Sequence, residues 1–176
     1  MRRIAKNSEM SVSGLYKHFP SKEAMFGALV EPIYENLKAM FAENLEKSVE
    51  YLDTMDIREV WKNSHEAEEA MRFIYENYRA FKLLICCSQG TSYQNYLHEL
   101  AKLSGQMTLA FFSVAKKKRI PIHPVSENEL HLITKSTIYS ITQAVSHDLS
   151  EEEAISYAKN IDRFCNAGWQ KLFFEN

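Results

Sequence analysis

Six large apolar residues, Met25, Leu29, Ile33, Leu37, Phe41 and Leu45, recur every four positions. Residues four apart in a helix stand on one face, so this run predicts a long helix with a slowly drifting apolar stripe. The spacing of three and four returns in Ala67, Ala70, Met71, Ile74, Tyr78, Phe81, Leu84 and Ile85, and again in Leu97, Leu100, Ala101, Ser104, Met107, Phe111, Val114 and Ala115. Only 5 Gly and 4 Pro interrupt the 176 residues. Few breakers and a persistent helical period predict an all-α chain. With 45% apolar and 25% charged residues, the composition is that of a globular protein rather than a disordered one.

The first long helix is expected to start at Ser21, whose hydroxyl can cap it, and to run to about Lys47. Pro32 falls inside it, removes one backbone donor and disfavours helical geometry at Glu31, which predicts a kink. That kink is either static or a point of bending between the two ends. Residues 53–56 read as a loop, and Asp56 with Glu59 as a reciprocal cap. A bend is expected near Tyr78 and Arg79, and a turn over Ser88–Ser92. A further helix is predicted from Tyr93 to Lys118. Its closing run, Lys116-Lys117-Lys118-Arg119, suits a helix C-terminus, where cations meet the dipole favourably. Ile120–Pro124 reads as a proline-stiffened connector. Ser126-x-x-Glu129 and Ser150-x-x-Glu153 each have the form of a capping box and open the last two helices.

The N-terminal stretch carries a different message. Ile4 and Ala5 give a short first segment an apolar side. Ser11 can cap a second, in which Leu15 and Phe19 share one face while Val12, Ser13, Tyr16 and Lys17 point elsewhere. Pro20 ends it. A short helix with an apolar back and a polar, aromatic and basic front suits a DNA major groove as well as an ordinary surface. The residues themselves, Ile4-Ala5, Met10-Ser11, Leu15-Tyr16-Lys17-His18-Phe19-Pro20 and Ser21-Lys22-Glu23-Ala24-Met25, closely resemble the helix-turn-helix of the tetracycline-repressor (TetR) family. The resemblance covers roughly the first thirty residues. It departs at Glu9, where the family usually has Gly, so Glu9 must tolerate a positive φ or the chain must turn differently. The family also has a helix before Ile4, packed on Ile4, Leu15 and Phe19. A trimmed chain, a misplaced start and impaired DNA binding are all compatible with its absence.

The resemblance implies a helix-turn-helix DNA-binding head on a helical-bundle body that binds a ligand and dimerises. The head with its linking helix would occupy residues 1–46 and the body 47–176. By the same motif match, Arg2, Arg3 and Lys22 would meet phosphate. Ser11, Val12, Ser13, Gly14, Tyr16, Lys17 and His18 would face the groove, where Val12 suits a thymine methyl and Lys17 guanine or phosphate. Charge agrees: residues 1–22 hold Arg2, Arg3, Lys6, Lys17 and Lys22 against Glu9, whereas the rest carries 16 Lys and Arg against 22 Asp and Glu. For the body, the resemblance implies a small-molecule effector among Trp61, Phe73, Tyr78, Phe81, Met107, Phe111 and Tyr139. It also implies a homodimer built on the last two helices, with Ile133, Thr137, Ile141, Ala158, Ile161, Cys165, Gly168 and Leu172 at the interface. Two copies are what reading a palindromic operator requires.

Other chemistry is weakly represented. There is no Gly-rich phosphate loop, no Gly-x-Ser-x-Gly and no His-Glu-x-x-His. The 6 His are scattered, so neither an enzyme nor a metal or other cofactor is expected. Three cysteines, two of them adjacent (Cys86 and Cys87), make no disulfide framework and point to a reducing cytoplasm. A thiol sensor at Cys86-Cys87 and a small buried pair are both open. No apolar run is long enough to span a bilayer. The expected activity is therefore that of a DNA-binding transcriptional regulator, a repressor released by its effector. Its main rival is a helical small-molecule carrier that no longer reads DNA.

Overall fold

The computed structural model describes residues 1–52, 54–62 and 64–174, and all their side chains except those of Ile57, Val60 and Trp61. Nine helices and no strand occur among them: α1 (Arg2–Asn7), α2 (Val12–His18), α3 (Lys22–Tyr51), α4 (Ile57–Lys62), α5 (Glu66–Glu76), α6 (Tyr78–Cys87), α7 (Tyr96–Lys117), α8 (Glu127–Ser146) and α9 (Glu151–Phe174). The protein is all-α.

Helix boundaries follow local chemistry. Ser21 Oγ accepts the Ala24 N–H at 2.9 Å and starts α3. The helix then runs unbroken through Pro32 to Tyr51, so the boundary expected at residues 46 and 47 falls inside it. Both capping boxes form. Ser126 and Glu129 exchange side-chain and backbone bonds at the start of α8, and Ser150 and Glu153 do so at α9. The bend expected near Tyr78 lies at Asn77. Its side chain donates to the Phe73 carbonyl at 3.0 Å, competing with the helical ladder and separating α5 from α6.

Three helices end alike. Glu9, Arg119 and Asp148 all have positive φ (54°, 61° and 54°). In each case the next N–H reaches back five residues: Met10 to Ala5, Ile120 to Ala115, and Leu149 to Ala144. These are Schellman closures, which usually place glycine at the left-handed position.

The main core lies where α3, α6, α7 and α8 meet, around Val30, Leu37, Phe81, Leu84, Leu100 and Val145. A second core uses small residues: Ala67, Ala144, Ala154 and Ala158 surround the fully buried Met71 and let α5, α8 and α9 approach closely. Burying a Met or Leu side chain contributes roughly 1.5–3 kcal/mol. A third cluster, around Leu52, Phe111 and Ala115, closes the end far from α1 and α2. There the connector between α7 and α8 is pinned by His123, whose N–H donates to the Phe173 carbonyl at 2.9 Å.

Candidate functional site

α1 and α2 pack on each other through the buried Ala5 and Leu15. The turn between them depends on Glu9 in the left-handed region, so the chain keeps the turn without the glycine. Ser11 Oγ accepts the Gly14 N–H at 2.9 Å and caps α2. A side chain at Gly14 would place its Cβ 3.0 Å from that oxygen, so Gly14 leaves the cap room. With Leu15 inward, Val12, Ser13, Tyr16, Lys17 and His18 form an outward face. Arg2 and Arg3 stand exposed at the start of α1, and Lys22 at the start of α3. The sequence model of the bacterial regulatory proteins of the tetR family matches residues 1–29, which is α1, α2 and the first turns of α3. The chain carries the DNA-binding head of a tetR-family transcriptional regulator. Neither a curated protein nor a solved structure matches it.

The body of this tetR-type regulator contains a partly open cavity of about 160 Å³ between α3, α5, α7, α8 and α9. Phe41, Met107, Phe111, Ile138, Ile141 and Trp169 supply its apolar wall. Its polar groups are carboxylates, hydroxyls, amides and the Cys165 thiol; no Lys, Arg or His lines it among the described residues.

Asp162 is committed to structure. From α9 its two oxygens accept the Ala67 and Glu68 N–H groups at 2.8 and 3.0 Å, capping α5 from outside. Burial nevertheless pushes its carboxyl up, against the lowering effect of those two bonds. Asn166, one turn on, donates to the Ser64 carbonyl at 2.8 Å and holds the approach to α5. Glu66, the first residue of α5, is solvent-exposed and borders the cavity. Desolvation by the groups around it pushes its carboxyl up as well, although the residue keeps solvent-exposed surface. The Ser64 hydroxyl opposes this, while the Asp162 and Glu69 charges reinforce it. The Cys165 thiol is also raised by burial, and its Sγ lies 3.8 Å from Thr137 Oγ1.

The structure regroups the residues expected from the sequence. Of the effector set, Met107 and Phe111 line the cavity. The Trp61 side chain lies outside the described residues. Phe73, Tyr78, Phe81 and Tyr139 do not line it. Phe73 and Phe81 pack edge to face at 5.7 Å, Tyr78 donates to Asp148 Oδ1 at 3.0 Å, and Tyr139 is 56% exposed.

The interface set divides. Thr137, Ile141, Ile161 and Cys165 line the cavity, and Ala158 is buried against α5, so five of these residues point into the monomer. Ile133, Gly168 and Leu172 face outward. So do Leu132 and Phe164, the latter 79% exposed. Sequence reasoning missed Glu66 and Trp169 as cavity residues. Glu66 has the look of an ordinary first-turn acid, and only the packing of α5 on α9 brings it to the cavity edge.

Cys86 and Cys87 are exposed at the end of α6. His131 pairs with His98, ring to ring, at 4.9 Å, and no group of three metal-ligating side chains occurs among the described residues. No described helix is long and apolar enough to cross a membrane.

Proposed function

We propose that this regulator is a cytoplasmic repressor that binds a palindromic operator as a homodimer and is released by a small molecule held in the cavity. The observation that carries the reading is the continuity of α3. Its first turn follows the recognition helix directly, and its later turns place Met40, Phe41, Asn44, Leu45 and Ser48 in the cavity wall. A ligand therefore touches the same rod that holds the head.

The lever is long. From Lys22 to Met40 the helix rises roughly 27 Å, so a tilt of about 5° moves the head by roughly 2 Å. Two heads must fit successive major grooves about 34 Å apart, and displacing both weakens the fit. The mechanism is a population shift: the ligand favours the body conformation whose heads are out of register. Pro32 lacks an N–H between cavity and head, which makes it the place where α3 bends most cheaply.

In this reading Arg2, Arg3 and Lys22 position the head on phosphates, with Lys22 at a helix N-terminus. Val12, Ser13, Tyr16, Lys17 and His18 read base edges. The second copy docks on the outward face of α8 and α9, where Leu132 and Phe164 stand exposed.

The test is selection of bound duplexes from a randomised library, followed by titration at several salt concentrations. Enrichment of a two-fold symmetric site, with affinity falling steeply as salt rises, is expected. A chain that enriches no duplex at low salt would not be a DNA-binding repressor, and the cavity would then serve a carrier.

A further inference from the structure

Given that the cavity is the effector site, we propose that its ligand is a compact, largely apolar monocation, an amine or quaternary ammonium, whose charge meets Glu66. Three observations converge on this class.

The first is the charge of the wall. Glu66 and Asp162 line the cavity with no Lys, Arg or His among the described residues around it. An anionic ligand would face two carboxylates, of which only Asp162 has a cationic group, His65, acting on it, and the described residues of the wall supply no cation to the ligand. The second is the division of labour between the two acids. Both Asp162 oxygens are used on the N-terminus of α5. Glu66 has the Ser64 hydroxyl and no cation beside it; the charges acting on it are those of Asp162 and Glu69. A hydrocarbon docking in the cavity would cover the Glu66 carboxyl without offering it a partner. The third is size and surface. A cavity of about 160 Å³ is close to one that holds a benzene ring. Phe41, Phe111 and Trp169 add aromatic faces, which attract a cation electrostatically.

A neutral ligand accepting a hydrogen bond from protonated Glu66 is the competing chemistry, and a charge series separates the two. Benzylammonium, benzyl alcohol and benzoate share one ring and differ in charge. Calorimetric titration of the full chain with each is expected to show benzylammonium binding about tenfold or more tighter than benzyl alcohol, the scale of a charge-assisted bond, with benzoate not binding. Glu66→Gln is expected to lose that roughly tenfold preference and leave benzyl alcohol binding within about threefold. Ala70→Leu, which fills the cavity from α5, is expected to abolish binding of both.

Equal binding of the alcohol and the ammonium, any preference for benzoate, or a preference that survives Glu66→Gln would overturn the assignment. So would the failure of all three probes to bind. Failure of the effector reading looks different. Benzylammonium would then bind in a Glu66-dependent way, and the DNA-binding curve would not move.

Discussion

Ser92, in the turn between α6 and α7, donates both its backbone N–H and its hydroxyl to one oxygen of Glu23, at 2.8 and 2.6 Å. Glu23 lies in the first turn of α3, two residues after the Ser21 cap that follows α2. The next residue, Tyr93, continues the clasp. Its ring packs on Phe26 at 5.8 Å and on Tyr34 at 6.4 Å, and a Cβ at Gly27 would lie 3.2 Å from its hydroxyl. The turn thus fastens the first turns of α3 to the body.

The clasp has a pH signature. The two Ser92 bonds hold the Glu23 carboxyl below its ordinary value, so what they contribute is present above the unfolded carboxylate range. It is lost as pH falls through the lowered folded value. Ser92→Ala removes one of the two donors and is expected to move the Glu23 titration back towards 4.5. Carboxyl chemical shifts followed against pH check this. An unchanged Glu23 titration would mean that the clasp does not persist in solution.

Glu66 titrates with the opposite sign. Its folded carboxyl is raised by burial and by the Asp162 and Glu69 charges. The folded protein therefore holds a proton that the unfolded chain releases, and stability falls as pH rises from 4.5 through the elevated value. Glu66→Gln is expected to flatten that decline, by an amount that solvent screening keeps small because the residue is exposed. Urea midpoints measured across the pH range give the comparison.

These two acids mark where the sequence could be read. The helices were legible because the apolar period is strong and because Ser21, Ser126 and Ser150 are self-contained caps whose partners lie three residues away. The head was legible because spacing, turn and cap occur together within thirty residues. Glu23 and Glu66 look alike as first-turn acids, yet one faces a loop 69 residues on and the other borders a cavity between helices. That difference is set by how α3 and α5 tilt against their neighbours. The same applies to Thr137, Ile161 and Cys165. Their spacing places them correctly on one side of α8 or α9, but a helix packed on two sides offers two such faces. Periodicity does not say which face meets the monomer's own core.

The three Schellman closures provide an internal control on backbone strain. A non-glycine residue in the left-handed region costs about 1–2 kcal/mol, partly offset by the extra chain entropy that glycine brings to the unfolded state. Glu9→Gly and Arg119→Gly are each expected to stabilise the protein by roughly 0.5–1 kcal/mol, a rise in Tm of about 1–4 °C for a domain this size. Asp148→Gly relieves the same strain but removes a carboxylate that accepts from Lys82 Nζ at 2.6 Å and from Tyr78 at 3.0 Å. It is expected to show no such gain. Thermal unfolding of the three variants tests the ordering, and equal gains from all of them would show that the Lys82 contact contributes nothing.

On the DNA face, position and specificity should separate. Lys22→Ala is expected to weaken binding alike on all sequences and to reduce the salt slope by about one. Val12→Ala or Lys17→Ala is expected to change the preference among sites, with a cost of about 1–3 kcal/mol at the affected base pair. Binding profiles over a randomised duplex library distinguish the two. A uniform loss from all three substitutions would remove Val12 and Lys17 from the reading face.

The outward face of α8 and α9 brings these effects together. Phe164, 79% exposed, and Leu132, 62% exposed, stand there with Gly168 and Leu172. A ring so open contributes little to the monomer, so Phe164→Asp is expected to leave the thermal midpoint within about 2 °C of the parent. A charge buried between two copies has no partner, and the variant is expected to sediment as a monomer where the parent sediments as a dimer. Operator affinity should then fall far more than any single base contact explains, because one head reads only half of a palindrome. If the variant remains dimeric with full operator affinity, the second copy docks elsewhere, and the inward-facing Thr137, Ile161 and Cys165 carry no weight in association either.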